Sequence, residues 1–309
     1  MSGFKRDHQG NAKRHNGPRP SGSAKPAAPV VRNSYTPMFE QLRDELEAHH
    51  DRRDRLGKAS RDVTALSKKI IFSLQRVRKI DESLPQDIQK EIDSRLTEIS
   101  KLLATMAPEV QGINRYRYTR SLVCLEELVE ALTFAHYLKT QTLISHDDLT
   151  SIIEDLARKG VAAPEDAVMA DANAVTQTPD EQPRQPVQAE APTIDITEED
   201  YLYGVFDLTG EMMRFATTTS ALTSKMASGE TGDDEPRTIV QDMHDLGSFF
   251  EMLPQRGGNK MTWEKKLEVT RQSVQKVEKL GYDCVVRGSE RPKGWIPDLS
   301  SVDQLGSPE

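Results

Sequence analysis

Five carboxylates stand on two apolar stretches of the chain, four of them in two spaced pairs. In "SLVCLEELVEALTFAHYL", residues 121–138, Glu126, Glu127 and Glu130 are the only charged residues, and Glu127 and Glu130 lie three apart. In "YLYGVFDLTGEMMRF", residues 201–215, Asp207 and Glu211 lie four apart, with Arg214 three residues further on. Residues three or four apart share a helix face, so each pair points one way. A carboxylate on an apolar helix is costly unless it is paired or bound to a cation. If the two stripes face each other, four oxygen donors converge. That donor set suits Mg²⁺ or Mn²⁺, hard ions that bind a few carboxylates and keep waters for substrate phosphates. An ion held this way activates water and stabilises the leaving oxygen of a phosphodiester. The competing reading is a pair of solvated acidic faces, and spacing alone does not decide between them.

Other chemistries find less support. His49, His50, His136, His146 and His244 show no ligand spacing, and Cys124 and Cys284 form no CxxC pair. No Gly-rich phosphate loop or GxSxG elbow is present. Both cysteines fall in helical-looking segments and are expected to be reduced thiols. No apolar stretch approaches the ~20 residues of a membrane span, and the N-terminus lacks a signal-peptide core. A soluble intracellular protein without membrane association is the expectation.

The elements that must position the acids are helices. Hydrophobic residues make up 36% of the 309 and charged residues 29%, a balance that suits helices with solvated faces. Aromatics reach 6%, and alternating Val/Ile/Thr stretches are scarce, against a sandwich or barrel. From Thr36, which can cap, and Pro37, apolar residues keep a helical period through Leu74, predicting one helix of roughly 40 residues. A second helix is expected over 86–107, a third over 113–144, and a fourth over 148–160, stopped by Gly160. The pattern T-E-E-D at Thr197–Asp200 reads as a capping box that opens a fifth helix. A sixth over 237–253 and a seventh over 260–288 complete an all-α bundle of seven helices.

Two segments depart from this pattern. Residues 1–35 hold seven Lys/Arg against the single acid Asp7, a charge of +6, leaving −14 on the remainder of a chain whose net charge is −8. This basic arm has almost nothing to bury and is expected to be disordered. It reads as an import signal, a weak nucleic-acid contact or a solvated tail. Residues 161–197, with five prolines and several acids, read as a flexible insertion. The helical domain is placed at 36–290, followed by a tail at 291–309.

Three further groups of residues read as candidate binding surfaces. In "GINRYRYTRSL", Arg115, Tyr116, Arg117, Tyr118 and Arg120 interleave cations with aromatics, as single-strand binders do. A surface turn with snorkelling arginines is the competing reading. Lys68, Lys69, Arg76 and Arg78 read as a solvated face or, secondarily, as a contact for RNA or a partner. Phe249, Phe250, Met252 and Leu253 form an apolar stripe that marks either an interface or the chain's own core.

"FEQLRDELEAHHDRRDRLGKASRDVTALSKKIIFSLQR", "LEELVEALTFAHYLKTQTLIS", "DYLYGVFDLTGEMMR" and "KKLEVTRQSVQKVEKLGYDCVVRGSERPK" together resemble the translin superfamily, in its translin-associated factor X (TRAX) branch. The resemblance covers most of residues 37–145 and 198–293. It is carried most specifically by "DLTGEMMR" and "VVRGSERPK". It implies a seven-helix all-α fold and a hetero-oligomer with translin, usually octameric, that acts as a Mg²⁺-dependent endoribonuclease on single-stranded RNA. The implied roles are RNA processing of the passenger-strand or pre-tRNA fragment type, in cytoplasm and nucleus, with single-stranded DNA as a further ligand. In that branch an E-x-x-E pair and a D-x-x-x-E pair supply catalytic and metal-binding acids, which fall on Glu127, Glu130, Asp207 and Glu211. Translin lacks the E-x-x-E acids, so their presence favours the TRAX branch. The alternative is a non-catalytic scaffold that stabilises translin and binds nucleic acid or protein partners. The N-terminal arm, the insertion and the "GINRYRYTRSL" segment do not carry the resemblance.

Overall fold

The computed structural model describes residues 33–161, 192–223, 225–229, 237–254 and 260–287. The basic arm up to residue 32, most of the insertion and the C-terminal tail lie outside the described residues. The described residues fall into two compact units, one ending at Ala48 and the other starting at His49. The division falls inside the first helix, α1 (Thr36–Leu74).

In the first unit, Asn33 and Thr36 bond each other at the start of α1. The Thr36 hydroxyl donates to Asn33 Oδ1 at 3.1 Å, and the Asn33 N–H donates to Thr36 Oγ1 at 2.9 Å. Met38, Phe39, Leu42 and Leu46 follow a helical period yet stay exposed. Periodicity there predicts the helix but not burial.

In the second unit α1 turns Leu56, Val63, Leu66, Ile70, Ile71 and Leu74 into the core. α2 (Gln86–Met106) follows with Ile88, Ile92, Ile99 and Leu103 buried at helical spacing. The other long helices are α4 (Cys124–Thr140), α5 (His146–Val161), α6 (Glu198–Thr223), α7 (Ile239–Met252) and α8 (Lys260–Arg287), with a short α3 (Ile113–Arg117) between α2 and α4. α2 packs on α5, α4 on α6, α6 on α8 and α7 on α8. Among the described residues there is no strand, apart from one isolated bridge between Ser228 and Thr238. None of the described helices is long and apolar enough to cross a membrane. Both cysteines are free thiols.

The expected third helix, 113–144, is three pieces. α3 ends at Arg117, a 3₁₀ turn covers Thr119–Ser121, and α4 starts at Cys124. The Thr119 hydroxyl donates back to the Arg115 and Tyr116 carbonyls, offering the backbone an alternative to a continuing helix. The buried Tyr118 and Leu122 hold the turn against the body. At the other end α4 stops at Thr140, with Gln141 in the left-handed region at φ 54°.

Gly160 does not stop α5, which runs one residue past it. A Cβ there would lie 2.0 Å from the Ser100 carbonyl oxygen, so the glycine lets α5 approach the α2 backbone. The capping box expected at Thr197–Asp200 forms, and a second one is found at Thr238. The Thr197 N–H donates to Asp200 Oδ2 at 3.0 Å, and the Asp200 N–H donates back to Thr197 Oγ1 at 3.2 Å. Thr238 and Gln241 do the same at the start of α7. The apolar stripe on α7 divides: Phe250 is buried and stacks on Phe206 with ring centroids 3.8 Å apart, while Phe249, Met252 and Leu253 are exposed.

Candidate functional site

α4 and α6 bring the four predicted acids to one place because they pack unusually close. Gly204 lies one turn before Asp207, and a Cβ on it would come within 2.4 Å of Val129 Cγ1 and 2.8 Å of the Glu126 carbonyl oxygen. Only hydrogen fits, so the two backbones meet beside the acids. Glu126 and Glu127 occupy the first turn of α4, where the helix dipole favours negative charge by about 0.3–1 kcal/mol. Burial outweighs that contribution. It pushes the Glu126 carboxyl up to about 7, only partly offset by Lys266, and it raises Glu127 against the pull of Lys68.

Glu130 is the most perturbed. Burial first, then the charges of Asp207, Glu127 and Glu211, push it up to about 8. Its carboxyl has no hydrogen bond or ion pair among the described residues. Glu211 is buried, accepts a hydrogen bond from Gln75 Nε2 at 2.8 Å, and lies 3.4 Å from Arg214 Nε. Lys68 Nζ is 3.6 Å from Glu127. Lys266, from α8, donates to both Asp207 oxygens at 2.8 and 2.7 Å, lies 3.9 Å from Glu126, and sits over the Tyr203 ring.

The four acids therefore share one electrostatic field without sharing a ligand sphere. Among the described residues, no group of three or more His, Cys, Asp or Glu is drawn together tightly enough to hold a metal ion. In this arrangement Lys266, Lys68 and Arg214 supply positive charge. The donor set fits a hard divalent cation in being all oxygen, with Glu211 buried and Asp207 still open to water.

The second candidate cluster does not survive as a unit. Arg115 is buried, pairs with Asp200 and donates to the Asp195 carbonyl at 3.0 Å. Tyr118 is buried, with its hydroxyl 2.5 Å from His49 Nδ1. Both tie the 113–122 segment to the body and are not available to a nucleic-acid strand. Tyr116, Arg117 and Arg120 remain exposed, with Arg117 bonded to His49 at 3.0 Å.

The sequence pattern does not single out Lys266 or Gln75, and it shows Glu126 without assigning it to the site. Lys266 was within reach of periodicity, because it lies three residues after the half-buried Trp263 and four before the buried Thr270. It thus shares their inward face.

Comparison with known proteins identifies the family of the chain. Translin-associated protein X of Rattus norvegicus is 31% identical over 293 residues, covering 93% of this chain and 89% of that protein. The Translin-associated protein X homolog of Schizosaccharomyces pombe is 26% identical over 255 residues, 82% of this chain and 89% of the homolog. The crystal structure of apo-NeC3PO aligns with a TM-score of 0.51 at 16% identity, covering 80% of this chain and 97% of that one, which bears on the fold alone. The Translin family profile matches residues 51–288, which contain all four predicted acids together with Gln75 and Lys266. The chain belongs to the translin family.

Proposed function

We propose that this chain is the catalytic subunit of a hetero-oligomer with translin, octameric by family analogy, that cleaves single-stranded RNA in a Mg²⁺-dependent reaction, with Mn²⁺ able to substitute. The observation that carries this is Glu130, a half-buried carboxyl with three carboxylates around it and no hydrogen bond or ion pair among the described residues. Such a group is held at a cost that a divalent cation would remove. Glu127, Glu130, Asp207 and Glu211 would hold the ion. When bound, it supplies an activated water and offsets charge on the leaving oxygen. Gln75 fixes the orientation of Glu211, and Lys68 and Lys266 restrain Glu127 and Asp207. Gly204 keeps the two helices close enough for all four acids to act together.

The relatives' name supports translin as the partner. The exposed Phe249, Met252 and Leu253 offer apolar surface for a subunit to cover. We place the complex in cytoplasm and nucleus, with single-stranded DNA as a further ligand. The test is co-expression with translin, followed by cleavage of a single-stranded RNA with Mg²⁺ or with EDTA. A variant with all four acids made neutral is the control. Cleavage that persists in EDTA, or in the neutral variant, would defeat the proposal. The Lys266–Asp207 pair is the observation favouring a non-catalytic scaffold, since it already compensates part of the charge. Assembly with translin but no cleavage at any Mg²⁺ concentration would make the scaffold the conclusion.

A further inference from the structure

We infer that Phe72 is a stacking platform for a base of single-stranded RNA at the rim of the acid cluster, an inference that rests on the reading of that cluster as acting on RNA. Lys68 and Phe72 lie four apart on α1, and Gln75, in the turn directly after it, keeps the helical course through its N–H bond to the Ile71 carbonyl at 2.9 Å, so the three share one face. Lys68 reaches Glu127 at 3.6 Å, and Gln75 donates to Glu211 at 2.8 Å. Phe72 stands between these two contacts, so its face of α1 borders the carboxylates.

Its exposure is out of keeping with its neighbours. Ile70, Ile71 and Leu74 are 4% exposed or less, while Phe72 is 62% exposed. A lone exposed apolar residue is ordinary; the placement of this one is not. Lys69 and Arg76 stand one turn to either side of it and are exposed, the latter 2.8 Å from Glu91. An aromatic ring set among cations is how proteins hold single strands without reading sequence, since every base has a face to stack and every phosphate a charge to meet. The cations also answer an electrostatic difficulty. A cluster of carboxylates repels the RNA backbone, and Lys68 and Lys69 put positive charge on the approach. Neighbours four apart on a helix have Cβ atoms about 5–6 Å apart. A base on Phe72 therefore keeps its own phosphate close to the residue that touches Glu127.

The test uses the full chain co-expressed with translin. Binding of fluorescein-labelled oligo-U and oligo-A is followed by anisotropy in EDTA, and assembly by size-exclusion chromatography. Phe72→Ala should weaken binding of both RNAs by about 5- to 150-fold, the range that one stacked base provides. Phe72→Trp should restore it, and all three proteins should assemble alike. Affinity within twofold of the parent in Phe72→Ala would overturn the inference. So would failure of Phe72→Ala to assemble, which would make Phe72 a subunit contact. A parent complex that binds neither RNA overturns both this inference and the proposed function. Phe72-dependent binding without cleavage in Mg²⁺ defeats the nuclease reading alone. Unchanged binding in Phe72→Ala alongside cleavage lost in Glu130→Gln defeats the platform alone.

Discussion

Replacing Glu130 by Gln should stabilise the metal-free chain while abolishing cleavage by its complex. Burial, with Asp207, Glu127 and Glu211 nearby, takes the Glu130 carboxyl from an ordinary 4.5 to about 8. Its folded pKa lies above its unfolded one, so the folded state holds a proton that the unfolded chain has released. The associated stability is complete below about pH 4.5 and is lost as pH climbs from there to about 8. At pH 7.5, about 1.4 kcal/mol per pH step from 4.5 gives roughly 4 kcal/mol as an upper bound. Residual contact of the carboxyl with water screens that to ~2 kcal/mol. Gln has almost the same shape and no charge to bury. At ~2–4 °C per kcal/mol for a body of this size, the variant should melt about 4–8 °C higher at pH 7.5. At pH 4.5 the two proteins should melt together. Thermal unfolding in EDTA at both pH values measures the difference. Added Mg²⁺ should then raise the parent's melting temperature and leave the variant's nearly unchanged. Equal melting temperatures at pH 7.5, or the same gap at both pH values, would refute the electrostatic account of the site.

Three other perturbations test the frame around it. Lys266→Met strands Asp207 and Glu126 and should lower the melting temperature in EDTA by an amount corresponding to about 1–3 kcal/mol; Mn²⁺ should then stabilise the variant more than it does the parent, and an equal response would show that the lysine and the ion do not compete. Gly204→Ala places a methyl against Val129 and should cost about 1–3 kcal/mol of stability and reduce cleavage; pairing it with Val129→Ala should recover part of both, as read by melting and single-turnover rates. Glu91, held down to about 2 by the Ser73 hydroxyl, Arg76 and Arg95, contributes stability above about pH 4.5 that is lost as pH falls toward 2; Glu91→Gln should therefore melt below the parent at pH 7 and with it at pH 2, and a pH-independent difference would refute the assignment.

The helices were legible because their apolar residues recur at 3.6, and the capping box at Thr197–Asp200 because its chemistry is local. The pairing of acids within each helix was legible for the same reason. What periodicity cannot give is which distant residue answers a charge. Gln75 lies 136 positions from Glu211 and Lys266 lies 59 from Asp207, so only the packed structure reveals them. Interleaved arginines and tyrosines look alike whether they face water or the interior. Arg115 went inward because Asp200 waits there, and nothing between residues 112 and 122 signals that. Glycines mislead in the same way. Gly160 and Gly204 both look like breaks or accidents in a helix, yet each marks a helix crossing whose second backbone comes from elsewhere in the chain.

The capping box at the start of α6 also acts as a datum. Asp200 closes the helix on Thr197 and receives Arg115 from the segment leading into α4, while Arg115 and Gln111 hold the Asp195 and Thr193 carbonyls and His146 Nε2 lies 2.9 Å from that of Ile196. The approach to α6 is thus pinned residue by residue, with Ile194 and Ile196 fully inside. Asp207 follows Asp200 by seven residues, about two turns or ~10.5 Å of rise. The phase of Asp207 and Glu211 is counted from this point and not from the end of α5. The chain between Val161 and Pro192 can consequently lengthen, shorten or change composition over evolutionary time without rotating either carboxylate. A segment placed upstream of the zero mark is free to vary; a single residue added downstream of it would swing the acids about 100° off target.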